Sequence, residues 1–338
     1  MGFISSTKAR RLDAELHWLV TQIITPELPQ LVEALRICSN LLLYNSPVHP
    51  DKAQRIERGP SITLPISSGK SDDLKGILVR DGAYITHMSV HLKERHFNRV
   101  LHKLVLKKPY LLAQIITAKR GIDRAVALLL QAASVFDENP NTYCDPQSHG
   151  VLMAVFAELL AELQTAKNSL QLPTQPELVF PLHRTDPAFF EPSLSPHIAL
   201  DLYISQAEVC IDLKDLAAVH DRPWCEIDPV SGKSYVDTIR DQMSAGKADV
   251  SGPHADEKSD RGLLGSVFSH LSLRPRHEPH DYIARCVTYN NSVVMVNKKI
   301  EVSSADPVLV SAFTKLDSVE HMVSSFLDNI RTLYQDEQ

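Results

Sequence analysis

The stretch Leu74–Pro109, LKGILVRDGAYITHMSVHLKERHFNRVLHKLVLKKP, alternates apolar and polar residues and then gives way to a long helical pattern. A period of two puts alternate side chains on a core face and in water, as a half-buried strand requires. Strands are predicted at 74–80, 83–92 and 99–107, with another ahead of them at 61–67. Asp81-Gly82 separates two of these runs, and both residue types tolerate positive φ, so the pair marks a hairpin. Further on, YIARCVTY and SVVMVNKKIEV flank Asn290-Asn291 in the same way. An isolated hairpin is marginal in water, so this late pair is expected in the same sheet as the early strands.

Around this sheet lie five segments of helical period. From Tyr110, the positions Leu112, Ile115, Lys119, Ile122, Val126, Leu129, Ala133 and Phe136 step by three and four. A second seam runs Leu152, Phe156, Leu159, Leu163, Ala166, Leu170. A third runs Ile198, Leu202, Ser205, Val209, Leu213, Leu216 behind Ser195-Pro196, which looks like a cap and first turn. The last runs Leu309, Phe313, Leu316, Val323, Leu327, Ile330, Tyr334 after Asp306-Pro307. At the N-terminus Leu12, Leu16, Leu19 and Ile23 lead to Leu31, Leu35, Cys38 and Leu42; Pro26 and Pro29 predict a kink or restart at Thr25-Pro26.

Helices of about 25 residues are roughly 37 Å long and cannot wrap one small sphere. The expected fold is therefore α+β: an elongated antiparallel bundle of long helices, including the N- and C-terminal ones, capped by a small antiparallel sheet of about six strands. The bundle would draw on residues 10–45, 109–220 and 304–335, and the sheet on residues 60–108 and 281–303. Residues 221–280 turn to Asp, Ser, Gly, Pro, Lys and His and are expected to be largely a disordered loop. Within it, a short amphipathic segment at 261–273 puts Leu263, Leu264, Val267 and Phe268 on one face. It is either a partner-binding motif or a piece that folds back on the bundle, the reading favoured here.

Composition narrows the function. With 338 residues, 43% apolar and 22% charged, the chain can bury a large core without staples, and a net charge of −6 gives no reason to expect a nucleic-acid partner. Five widely spaced cysteines without a C-x-x-C pair suit free thiols in a reducing, cytoplasmic setting. No run approaches the length of a transmembrane span, and the first residues lack a signal-peptide core. Met1-Gly2 with Ser6 fits the short N-myristoylation pattern, which matches often by chance.

Sites for chemistry are few. Gly69-Lys70-Ser71 and Gly232-Lys233-Ser234 resemble the end of a phosphate loop, but Leu64 and Ile227 stand where its first glycine belongs, so both are read as solvated turns. His277-Glu278-Pro279-His280 and the His220/Cys225 pair lack zinc-site spacing, and Pro279 is read as incompatible with a helical metal motif. His87, His91 and His102 are read as packing or hydrogen-bonding residues of a sheet face. There is no nucleophile elbow or dinucleotide loop, so no catalytic residue, cofactor or metal is expected. The seams admit two readings, an internal bundle in a monomer or a coiled coil between copies of a homo-oligomeric tether. Several seams in one chain can satisfy each other, which favours the internal bundle.

Four stretches in order carry a resemblance to a known family. Glu15, Trp18 and Leu19 in ELHWLV, Lys75, Gly76 and Gly82 in LKGILVRDG, Ala118 and Ala125 in IITAKRGIDRAVALL, and Tyr203 and Cys210 in DLYISQAEVC together resemble the leucine-zipper-like Rogdi family. That family includes the small subunit of the RAVE complex, a regulator of the vacuolar and endosomal proton-pumping V-ATPase. The resemblance implies a discontinuous helical bundle with a β domain, and mainly structural roles for the matching residues. It also implies a non-enzymatic role with a large WD-repeat partner in reassembling the ATP-hydrolysing sector onto the membrane sector. Pro26, Pro29 and the 221–280 loop depart from the family pattern.

Overall fold

In the computed structural model, residues 11, 13–47, 58–68, 73–98, 101–138, 146–245 and 277–335 are described. The chain is a mixed α+β protein with two antiparallel sheets. Its long helices are α1 (Thr25–Tyr44), α3 (Ala113–Glu138), α4 (Pro146–Gln171) and α7 (Pro307–Gln335), with a short α2 at Arg95–Asn98. α1 packs on α3, α3 on α4, α4 on α7 and α7 on α1, closing a ring of four. The predicted seams point inward: Leu152, Phe156, Leu159, Leu163, Ala166 and Leu170 are all buried, as are Leu309, Leu316, Val323, Leu327 and Ile330. α7 starts where it does because the Asp306 carboxylate accepts from Val308 N and Leu309 N at 2.9 and 3.1 Å, with Pro307 in the first turn.

At the expected kink or restart the chain stays helical but changes helix type, and α1 begins at Thr25. A π-helical turn, Leu19–Ile24, precedes α1, and Thr25 N and Oγ1 both donate five residues back to Val20 O. The extra residue in that turn absorbs the donor missing at Pro26 and shifts the seam by one position. Ile24 is consequently buried and Ile23 exposed.

Sheet A comprises β1 (Ile62–Ser67), β2 (Leu74–Asp81), β3 (Tyr84–Leu92), β4 (Lys103–Leu106), β5 (Tyr110–Leu111) and β6 (Phe190–Glu191). The order is β1-β2-β3-β4-β6, with β5 paired to β3. The expected hairpin between β2 and β3 is present with Gly82 and Ala83 as its turn, and only Gly82 has positive φ. Leu64, Ile66, Leu74, Leu78, Met88, Val90, Leu104 and Leu106 are buried and join the core shared with the helices.

Sheet B corrects the sequence reading. Residues 198–218, expected as the third helical seam, form β7 (Ile198–Ser205) and β8 (Glu208–Ala218). Ser195-Pro196 opens a turn, closed by Ile198 N donating to Ser195 O at 2.9 Å, and leads into a strand. The late hairpin, β9 (Cys286–Tyr289) and β10 (Ser292–Ala305), turns at Asn290 and Asn291 as expected, both with positive φ. It pairs with β8 rather than with the early strands, giving the order β7-β8-β10-β9. Residues 61–107 and 286–305 therefore contribute to two sheets and not to one of about six strands. The sheets meet where β10 runs beside β1 and Ser304 Oγ donates to Pro65 O at 2.8 Å.

Residues 221–245, expected as loop, are ordered around a second small core. Trp224 stacks on Tyr282 at 5.0 Å between ring centres, Tyr235 meets Trp224 edge-on, and Val236, Cys286, Val293 and Met295 fill in beneath. α5 (Tyr235–Ser244) begins at a reciprocal capping box between Ser234 and Asp237. α6 (Pro279–Arg285) takes Pro279 as its first residue, so that proline starts a helix instead of breaking one. Leu263, Leu264, Val267 and Phe268 lie outside the described residues, as does Gly69-Lys70-Ser71.

Candidate interaction surfaces

Sheet B is buried on both faces at β7, and its second face carries charge. Strand register lines up Asp201, Asp212 and Glu301 in one row and Ala199, Lys214 and Lys299 in the next. Three carboxylates side by side would repel, and the neighbouring lysines offset this. Lys214 Nζ lies 2.7 Å from Asp212 and 3.7 Å from Asp201; Lys299 Nζ lies 2.6 Å from Glu301 and 3.4 Å from Asp212. Hydrogen bonds from Lys299 and Tyr203 hold the Glu301 carboxyl below the usual range. Burial pushes Asp212 the other way, and its Oδ1 has no hydrogen-bond partner.

This face is covered by the segment that follows α4. Phe180 N donates to Asp201 Oδ2 and His183 Nδ1 contacts Asp201 Oδ1, each at 2.8 Å, while Lys214 Nζ sits 4.8 Å from the centre of the Phe180 ring. A His–Asp contact of this kind orients a base in hydrolases. Here both Asp201 oxygens fasten the covering segment, and Thr185 Oγ1, the hydroxyl 3.4 Å from His183, donates to Leu200 O at 2.6 Å.

Sheet A is different, because its second face is open. Register across β1, β2, β3 and β4 gives a row Ser67, Lys75, His91, Lys103, then a row Pro65, Ile77, Ser89, Val105, then Thr63, Val79, His87. Ile77 is 45% exposed, and His87 and His91 face solvent rather than packing, as does His102 just before β4. Beyond the bulge at Val79/Arg80, Tyr84 pairs with Leu111, and both are exposed.

The residues of the family resemblance fall mostly in packing positions. Leu19, Ala118, Ala125, Tyr203 and Cys210 are buried; Gly76 and Gly82 sit where β2 meets its neighbours; Glu15 is partly buried; Lys75 and Trp18 are exposed, Trp18 by 57%. Sequence reasoning missed Arg80, Asn45 and Asp306, a buried polar junction whose only sequence signal is an arginine at a core position of a strand. It also missed the Ser234/Asp237 capping signature.

Among the described residues, no group of three His, Cys, Asp or Glu is placed to hold a metal ion. Gly232-Lys233-Ser234 follows a turn held by Asp228, which accepts from Val230 N and Ser231 N at 3.1 Å. A groove of about 400 Å³ between α1 and α7 is lined by Glu27, Leu31, Lys315, Ser318, Val319 and Met322 among others. No described helix is long and apolar enough to cross a membrane.

Cys38, Cys210, Cys225 and Cys286 are free thiols. Burial pushes Cys38 and Cys210 up to about 12 and Cys286 up to about 11. Only the thiolate reacts, so iodoacetamide at neutral pH is expected to leave these three unmodified in the native protein. The half-exposed Cys225 is expected to react ahead of them. Peptide mapping by mass spectrometry checks this, and native labelling of Cys38 or Cys210 would contradict the packing.

Among the described residues, the surfaces this geometry sets apart are sheet faces and helix flanks. The protein belongs to the Rogdi leucine zipper containing protein family, whose family model matches residues 15–331. The chain is 26% identical over 330 residues to "Regulator of V-ATPase in vacuolar membrane protein 2" of Saccharomyces cerevisiae, covering 94% of this chain and 90% of the yeast protein. It is 26% identical over 236 residues to "Protein rogdi homolog" of Pongo abelii and 25% identical over 236 residues to that of Homo sapiens, each covering 68% of this chain and 76% of the relative.

Proposed function

We propose that this protein regulates a V-ATPase as a non-enzymatic scaffold subunit of a RAVE-like complex. It would work with a large WD-repeat partner and subunits of the peripheral ATP-hydrolysing sector to promote assembly of that sector onto the membrane sector, and so support vacuolar and endosomal acidification. The observation that carries this reading is the nearly full-length alignment with the yeast regulator of V-ATPase. The ring of four helices serves as a stiff, elongated body and the sheets as its display surfaces. Such a body holds two partners in fixed relation and raises their effective concentration. The protein acts as a cytoplasmic monomer recruited to the membrane through its partners. Consumption of the leucine seams inside one chain supports this over a tether paired between copies, which light scattering would reveal as a concentration-dependent dimer.

Expression of the chain in yeast lacking the vacuolar regulator tests the proposal. The expected result is restored vacuolar acidity together with recovery of peripheral-sector subunits on vacuolar membranes. Normal expression with neither effect, and no co-purification of pump or RAVE subunits, would reject it.

A further inference from the structure

The second face of sheet B is closed by a strap built unlike the rest of the fold. From Leu172 to Phe189 no residue is buried, and the regular structure consists of single 3₁₀ turns at Pro176–Leu178 and Pro187–Phe189. Connections this long without larger elements of their own are uncommon in compact folds and usually carry function. The two ends are fixed, Gln206 N donating to Gln171 O at 2.8 Å and Lys107 N to Phe189 O at 2.7 Å. Between them the strap adds no strand to sheet B, whose order is β7-β8-β10-β9.

The strap is held by an aromatic ring and a carboxylate. Phe180 packs on Ala199, Leu216 and Val294, a small cluster separate from the main core, with its ring centre 5.1 Å from that of Tyr289. His183 N donates to Val179 O at 2.9 Å, and this turn brings the His183 ring to the same carboxylate, Asp201, that accepts from Phe180 N. Leu182, between the two, is 61% exposed.

Opening the strap leaves no buried charge alone. Lys214 Nζ already lies 3.7 Å from Asp201 and 2.7 Å from Asp212. The main core stays closed, because Ile198, Leu200, Leu202 and Ile204 belong to it from the other face of β7. What opens is an apolar seat beside a carboxylate with two acceptor oxygens, in a face with three carboxylates against two lysines. Such a seat suits an aromatic ring followed by a cationic donor. A tethered segment holds its seat only up to the effective concentration its tether sets, so a partner segment of the same chemistry competes with it. We propose that the strap occupies in cis a docking site for a turn-forming segment of a partner protein, with an aromatic residue for the Phe180 seat and, three residues later, a histidine or arginine for Asp201. The proposal rests on the scaffold reading only in taking a protein as the partner.

The test uses the full chain and a fluorescein-labelled peptide of its own residues 174–189. In the parent, the Phe180 N–H is expected to exchange with solvent through a local opening that urea does not accelerate, while the amides of β7 and β8 exchange more slowly. The chain opened by Phe180→Ala with His183→Ala is expected to bind the peptide at least about tenfold more tightly than the parent, whose own strap competes. A peptide carrying the same two substitutions should bind the opened chain about tenfold or more weakly. Benzoylphenylalanine in place of the peptide's Phe180 should crosslink around Ala199, Leu216 and Val294. Unchanged circular dichroism confirms the fold of the double variant; should it misfold, amide exchange in the parent decides. Exchange of the Phe180 N–H only on global unfolding, no binding to the opened chain, equal binding to the parent, equal binding by the substituted peptide, or crosslinks elsewhere would each overturn the proposal. None of those outcomes bears on the yeast complementation, so the two readings fail separately.

Discussion

Arg80→Ala is expected to cost the folded chain about 3–5 kcal/mol, the range for removing one partner of a buried ion pair. The Arg80 side chain is fully buried, as is that of Asp306. Its Nε and Nη2 reach the two Asp306 oxygens at 2.5 and 3.2 Å, and Nη1 reaches Asn45 Oδ1 at 2.9 Å and Gly82 O at 2.6 Å. One guanidinium thus joins the end of α1, the β2–β3 turn and the start of α7. Truncation leaves a carboxylate buried with only its two cap donors, Val308 N and Leu309 N, and removes the Arg80 donor from Gly82 O, while Asn45 Oδ1 keeps the bond from Gly82 N at 3.2 Å.

The cost should therefore depend on the charge left behind. Asp306→Asn keeps an amide oxygen for the α7 cap while removing that charge, so the double variant should be more stable than the two single losses added together. A coupling on the order of 1–3 kcal/mol is expected from urea unfolding of all four proteins, where the midpoint moves and the slope does not. Additivity within a few tenths of a kcal/mol would mean that the junction is not acting as a pair.

How far the sequence could be read depended on which signals its turns carry. The hairpins at Gly82 and at Asn290-Asn291 were legible because those residues accept positive φ at little steric cost. The β7–β8 hairpin turns at Gln206 and Ala207, both at positive φ, and neither residue announces a turn. Its strands are also buried on both faces, so IALDLYIS gives no alternation, and a continuous apolar run matches a helical seam as readily as a core strand. Missing β8 removed the strand that the late hairpin needed, which is why that hairpin was assigned to sheet A. The helical seams of α3, α4 and α7 were legible because each keeps one polar flank over many turns. Of the surfaces, strand register alone reveals that Lys75 and Lys103 share a row beside that of Ile77. The Arg80 junction joins residues 35 and 226 positions apart, a relation no local pattern encodes.

Gly76→Ala is expected to destabilise sheet A by about 3 kcal/mol or more, at or above the upper end of overpacking costs. Gly76 lies opposite Ile66 on β1 and Val90 on β3. A Cβ there would stand 2.1 Å from Ser89 O and 2.7 Å from Val90 Cα, both backbone atoms, so no change of rotamer gives relief. The strands must separate, and the neighbouring Leu78–Met88 pair, fully buried, separates with them. Glycine normally weakens a strand interior, and this close approach explains its presence. Gly150→Ala is the internal control, since it lies in α4 with nothing within 4 Å of the added carbon. That change should stabilise the chain by about 0.5–1 kcal/mol through the better helix propensity of alanine. The two alanines should therefore move the unfolding midpoint in opposite directions, and hydrogen exchange should locate the loss in β2 and β3. A Gly76→Ala protein as stable as the parent would mean that β2 and β3 do not pair in this register, and the lysine and isoleucine rows of the open face would then have to be redrawn.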